Sequence, residues 1–156
     1  MKNQEIKFNG LKHNYSVFIG KNVIKLLPKK IKKICPKARK VALIVDTKIP
    51  GKLKKSIKDK LRNYEILNLP FSASEKNKSF RKVDFYINKI LSNNFNRSDL
   101  IIGVGGGITG DVAGFVASIF KRGINFINIP TTLLAQVDAS IGGKSGVNSF
   151  AGKNLI

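Results

Sequence analysis

The sequence holds one cysteine, Cys35, and one histidine, His13. A single thiol forms no internal disulfide and no multi-cysteine metal site, which suits a reducing compartment, and Cys35 reads as a small apolar residue. A single imidazole cannot complete a metal site with three protein ligands, and it leaves no convincing Ser/His/Asp or Cys/His constellation, so no metal ligands are assigned. His13 lies beside Asn14 and reads as an exposed turn residue. Long apolar runs are also missing. None approaches the ~20 residues of a spanning helix, and Met1-Lys2-Asn3-Gln4-Glu5 leads into no stretch of signal-peptide length. The expectation is a soluble cytoplasmic protein with no membrane partner.

Acidic residues are scarce: 9 Asp and Glu stand against 29 Lys and Arg, for a net charge of +20. Clustered lysine suggests a nucleic-acid partner, because it displaces counterions from a phosphate backbone. The distribution argues otherwise. Lys29, Lys30, Lys32, Lys33, Lys52, Lys54, Lys55 and Lys58 fall on what read as wet helix faces, with few aromatics among them for base stacking. No nucleic-acid partner is expected, although the field would attract small anions.

A chain of 156 residues fits one domain, 1–156. Ile6, Phe8, Tyr15, Val17 and Ile19 alternate around Gly10 and Asn14 and predict an amino-terminal β-hairpin. Val23 to Ile34 reads as a basic amphipathic helix interrupted at Pro28. Val41 to Val45 and Leu100 to Val104 are continuous apolar runs, the pattern of strands buried on both faces. Between and after them lie a helix through Leu53, Ile57 and Leu61, a strand from Tyr64 to Leu69, and a helix on Phe80, Val83, Ile87, Ile90 and Leu91. A helix through Val112, Phe115, Val116 and Ile119 then leads to a strand from Ile124 to Ile129. This alternation predicts an α/β fold, a Rossmann-like parallel sheet with flanking helices. The last 20 residues show no period and read as loop.

Gly105-Gly106-Gly107-Ile108-Thr109-Gly110 follows a strand and opens a helix, and Gly105, Gly107 and Gly110 satisfy G-x-G-x-x-G. Such a turn lets the backbone approach a pyrophosphate, with unpaired amides and a positive dipole end behind it. The acidic residue usually found about 20 positions later is missing, since Pro130 stands there. Asp46, at the end of an earlier strand, either takes that role or caps the segment starting near Thr47. Gly143-Lys144-Ser145 looks like the end of a P-loop, but Asp138 occupies the position that would need glycine. Asp111, Arg122, Asp138, Lys144, Lys153 and Asn154 are polar groups near predicted strand ends, where open α/β sheets bind ligands, or else ordinary surface charge.

Read as one string, Gly105 to Asp111, Lys121-Arg122-Gly123, Ile129 to Asp138, Gly142-Gly143-Lys144 and Gly152-Lys153-Asn154 resembles the signature of the 3-dehydroquinate synthases. Upstream, Asp46 and the Glu75-x-x-Lys78 pair resemble that family's ribose-contacting positions. The resemblance implies an NAD-binding domain of a shikimate-pathway lyase, which forms 3-dehydroquinate and phosphate from a phosphorylated sugar acid by transient oxidation at a ring hydroxyl. It implies that Gly105, Gly106, Gly107, Ile108, Thr109, Gly110 and Asp111 receive the pyrophosphate of NAD. Thr131 and Thr132 would present hydroxyls and amides, and Asp46, Glu75 and Lys78 would fix the adenosine side. Arg122, Lys144, Lys153 and Asn154 would gather the substrate's phosphate, carboxylate and hydroxyls, with Lys144 and Lys153 also near the cofactor, while Asp138 would accept from a substrate hydroxyl.

The resemblance implies that the divalent metal, zinc or cobalt, is held by a helical carboxyl-terminal domain expected outside these 156 residues. The resemblance therefore implies a homodimer for the intact enzyme, and weak cofactor binding, self-association and no turnover for these 156 residues alone. Three rivals stand beside it: another sugar-phosphate cyclase of the same fold, a glycerol-type dehydrogenase, and a basic module that binds RNA.

Overall fold

The computed structural model describes residues 3–9, 14–143 and 145–156; His13 and Lys144 lie outside the described residues. Strands β1 (Gln4–Asn9) and β2 (Asn14–Ile19) pair antiparallel, with Gln4 opposite Ile19 and Asn9 opposite Asn14, as the alternating apolar positions predict. A 3₁₀ turn at Val23–Leu26 runs into α1 (Leu27–Ile34). Pro28 does not interrupt this helix as expected but opens it, because a first-turn residue needs no amide hydrogen.

Next come β3 (Lys40–Asp46), α2 (Gly51–Lys60), β4 (Glu65–Phe71), α3 (Phe80–Ser92), β5 (Leu100–Gly105), α4 (Gly107–Ile119) and β6 (Asn125–Pro130). The last four strands form a parallel sheet in the order β4-β3-β5-β6. The run expected to start at Tyr64 extends to Phe71, and Pro70 is tolerated because β4 is an edge strand with no ladder to complete on its outer side.

Two apolar layers cover the sheet. Val41, Leu43, Val45, Leu100, Ile102 and Val104 face Leu27, Ile31 and Ile57 of α1 and α2. Ala42, Ile44, Leu69, Phe71 and Ile101 face α3 and α4 through Val83, Tyr86, Ile90, Val112 and Val116. Adjacent residues of β3 thus enter opposite cores, which explains why that strand has no polar alternation. On α3 the buried stripe is Val83, Tyr86 and Ile90; Phe80 and Leu91, expected inside, are exposed. The Tyr86 hydroxyl donates to the Pro70 carbonyl at 2.8 Å, and burial pushes its pKa up to about 12.

Asp99, only 3% exposed, anchors the amino edge of the sheet. Its Oδ1 accepts from the amides of Arg39 and Lys40, both at 3.0 Å, and its Oδ2 from the amide of Asn96 at 2.7 Å. At the carboxyl edge the connections diverge. The path from β3 leads to β4 on one side, and that from β5 leads to β6 on the other, so a crevice opens between the ends of β3 and β5. Such a switch point is where open α/β sheets take ligands.

Candidate functional site at the carboxyl edge of the sheet

Val45 pairs with Val104, so the next residues along the two strands, Asp46 and Gly105, flank the crevice. Gly106 caps α4 without any side-chain hydrogen bond, and the first turn of the helix carries no acid. The amides of Gly107, Ile108 and Thr109 therefore lack intrahelical partners and add to the positive end of the helix dipole. The glycines here answer to space rather than to backbone angle. A Cβ on Gly105 would stand 2.5 Å from Thr109 Oγ1, and one on Gly110 would stand 2.9 Å from Asn128 Nδ2 on β6. Gly110 lets α4 pack against the sheet, and Gly105 lets the chain turn beneath Thr109. Thr109 is fully buried, and its hydroxyl has no hydrogen-bond partner among the described residues.

Asp46 is 8% exposed, and its Oδ1 accepts from the amide of Lys48 at 2.9 Å. The cap of α2 is Pro50, so Asp46 closes a local turn and does not cap that helix. One acidic oxygen is occupied in this way; Oδ2 has no hydrogen bond among the described residues.

Lys78 brings three distant segments together. It is 5% exposed, lies just after the short helical turn Glu75–Asn77, and donates through Nζ to Asp111 Oδ2 and to Asn154 Oδ1, each at 2.5 Å. A buried ammonium requires such partners, because an unpaired charge there would cost several kcal/mol (roughly 3–5). Asp111 stands one turn into α4, so the same contact ties the glycine turn to the segment 145–156. Glu75, three residues before Lys78, is exposed and accepts from Asn148 Nδ2 at 2.9 Å.

Other predicted site residues are placed less centrally. The amide of Thr131 donates to the carbonyl of Gly105 at 2.9 Å and is not free for a ligand as expected. Thr132 Oγ1 accepts from the amide of Ala135 at 3.3 Å and opens a helical turn. That turn widens to i→i+5 bonding over Ala135–Ala139, where Asp138 is exposed; its residues from Val137 on fall in the stretch expected to be loop. Lys153 is exposed beside Asn154.

Arg122 is not brought to the crevice. It follows α4, which carries the chain about 20 Å from the glycine turn, and it precedes β6, so it lies at the amino edge of the sheet. Both Lys121 and Arg122 have left-handed backbones, with φ 47° and 65°, next to Gly123 at φ 115°.

A larger apolar groove lies elsewhere, between the hairpin and the outer edge of β6, lined by Tyr15, Phe18, Leu27, Phe126 and Asn128. It touches the predicted set only at Gly110. Its apolar lining suits packing, whereas the crevice holds the free amides, the carboxylates and the buried ammonium. Among the described residues, no group of three His, Cys, Asp or Glu could hold a metal, and no helix is long and apolar enough to cross a membrane. Sequence reasoning missed Asn148; its only local signal is a polar residue directly after the buried Val147.

Comparison with known proteins adds an independent line. Residues 68–156 match the family model described as 3-dehydroquinate synthase N-terminal. The 3-dehydroquinate synthase of Pelagibacter ubique is 47% identical over 152 residues, which cover 97% of this chain and 41% of that protein. The 3-dehydroquinate synthase of Clostridium botulinum is 41% identical, over 92% of this chain and 41% of the relative. Among solved structures, 2-deoxy-scyllo-inosose synthase complexed with carbaglucose-6-phosphate, NAD+ and Co2+ superposes with a TM-score of 0.87 at 28% identity, covering 99% of this chain and 41% of that one. The chain thus spans about two fifths of the length of the relatives it matches.

Proposed function

Since the chain belongs to the family of 3-dehydroquinate synthase amino-terminal domains, we propose that residues 1–156 form one NAD-binding domain serving that reaction in the cytoplasm. The substrate is 3-deoxy-D-arabino-heptulosonate 7-phosphate, and the products are 3-dehydroquinate and phosphate. The observation that carries this reading is the crevice at the switch point, where the uncapped start of α4 faces Asp46 across the ends of β5 and β3. Identity also favours the synthases over the related cyclase, at 47% against 28%.

In this reading the amides of Gly107, Ile108 and Thr109 bind the pyrophosphate of NAD, and Gly105 and Gly106 keep the approach clear of side chains. Asp46 accepts from ribose hydroxyls through its free oxygen, and Glu75 does so on the neighbouring side. Bound NAD supplies a reversible hydride acceptor. Lys78 is already committed to Asp111 and Asn154, so its task is to hold the Asn154 amide toward the substrate. Lys153 and Lys144 meet the phosphate and carboxylate, for which cationic donors are suited, and Asp138 accepts from a hydroxyl. The excess of lysine draws the anionic substrate inward.

A divalent ion of the kind carried by the cyclase neighbour finds no ligand set among the described residues. Leu133, Leu134 and Val137 are exposed apolar residues beside this edge and favour association, including a homodimer of the intact enzyme.

Calorimetric titration of the chain with NAD+ tests the reading. The expected outcome is saturable binding competed by ADP and absent with adenosine, which lacks the pyrophosphate. No heat at millimolar NAD+, or phosphate release by the 156-residue chain alone, would overturn the assignment as stated.

A further inference from the structure

Residues 145–156 reach the body of the domain through Val147, which is fully buried in the core under α3 and α4, and through the amide of Asn148, which donates to the Lys78 carbonyl at 2.9 Å. The amide of Val147 closes the segment on itself by donating to the Ile156 carbonyl at 2.8 Å. The buried Val147, the Asn148 amide and the parallel bridge between Ser79 and Asn148 do not depend on which side chain stands at 148. The Asn148 side chain does something else. Its Nδ2 donates to Glu75 Oε2 at 2.9 Å and to the Glu75 carbonyl at 3.3 Å, while its Oδ1 accepts from the amide of Asn154 at 3.0 Å. Asn154 has φ 56°, a left-handed conformation that asparagine tolerates better than most residues, and its own Oδ1 accepts from Lys78. The result is a closed circuit: Glu75 to Asn148, Asn148 to Asn154, Asn154 to Lys78, and back along the short turn to Glu75.

We propose that Asn148 is a positioning residue that couples the dinucleotide side of the crevice, through Glu75, to the substrate side, through Asn154. The inference rests on the NAD-binding reading above. Only a short amide can fill the post, because one end must donate to a carboxylate and the other must accept from an amide. Aspartate loses the donor, serine is too short, and glutamine displaces one partner. When Glu75 engages a ribose hydroxyl, its carboxylate shifts, Asn148 follows, and the backbone of Asn154 is reset. Occupancy by the dinucleotide therefore prepares the side chain that meets the substrate.

The experiment is an NMR titration of the isotope-labelled chain with NAD+, following the amides of Gly107 and Asn154. In the parent chain both shift with one saturation curve. In Asn148→Ala, affinity falls roughly tenfold for the lost charge-assisted bond, and Asn154 no longer tracks Gly107. Asn148→Asp keeps the acceptor for Asn154 but sets a carboxylate against Glu75. Its affinity falls at neutral pH and recovers as pH drops through the carboxylate range, which a merely structural role would not produce. Unchanged amides of Ile44 and Ile101 certify the fold in each variant. Variants that bind like the parent, with Asn154 still tracking Gly107, overturn the coupling alone. A parent chain that binds no NAD+ overturns the functional reading and the coupling with it.

Discussion

The two ends of the parallel sheet each bury an aspartate, and they use it differently. At the amino edge, Asp99 accepts three backbone hydrogen bonds, from Arg39, Lys40 and Asn96, and ties the start of β3 to the start of β5. At the carboxyl edge, Asp46 accepts one, from Lys48, and keeps an oxygen in reserve beside an uncapped helix. The amino edge is satisfied within the fold, and the carboxyl edge is satisfied only in part. An incomplete set of hydrogen bonds on rigid strand ends is what a ligand can finish, so the contrast separates structure from function more sharply than burial does.

The largest effect should come from exchanging the roles of these two acids. Asp99→Ala strands three amides and should cost about 3 kcal/mol of stability, read as a lowered urea midpoint. Asp46→Asn should cost well under 1 kcal/mol of stability yet weaken NAD+ binding about tenfold, a loss of roughly 1.4 kcal/mol. Equal stability losses at the two positions would abolish the distinction. A smaller effect, of opposite sign, is expected at Arg122, where a side chain sits on left-handed backbone at the amino edge. Arg122→Gly should raise stability by about 1 kcal/mol and leave NAD+ affinity unchanged, since the residue lies a helix length from the crevice. A loss of NAD+ affinity in that variant would show that the amino edge takes part in binding.

Much of this architecture was legible because its causes are local. Val41 to Val45 and Leu100 to Val104 announce doubly buried strands by unbroken apolarity, and the run from Gly105 to Gly110 announces its turn by residues that touch one another. The centre of the site was legible only as a roster. Lys78, Asp111 and Asn154 could be singled out, but their meeting depends on contacts spanning 33 and 76 positions, which no periodicity encodes. Asn148 escaped for the same reason, as its partner Glu75 lies 73 positions away. Arg122 was grouped with the substrate set because sequence proximity hides the length of α4. The misplaced face of α3 has a simpler cause: Phe80 is the first residue of the helix, and the buried stripe begins only a turn later, at Val83, and runs through Tyr86 and Ile90.

The strand order has a further consequence, for the chain as it is made. β3 pairs with β4 first, but its other edge stays bare until Leu100–Gly105 has been synthesised, and β5 then waits for Asn125–Pro130. Through that interval a strand greasy on both faces projects from an unfinished sheet, the kind of edge that recruits identical neighbours on crowded polysomes. The lysines of α1 and α2 are made in the same stretch of chain, and they give every nascent copy a strong like charge. Mutual repulsion of those charges opposes contact between unfinished copies during that wait.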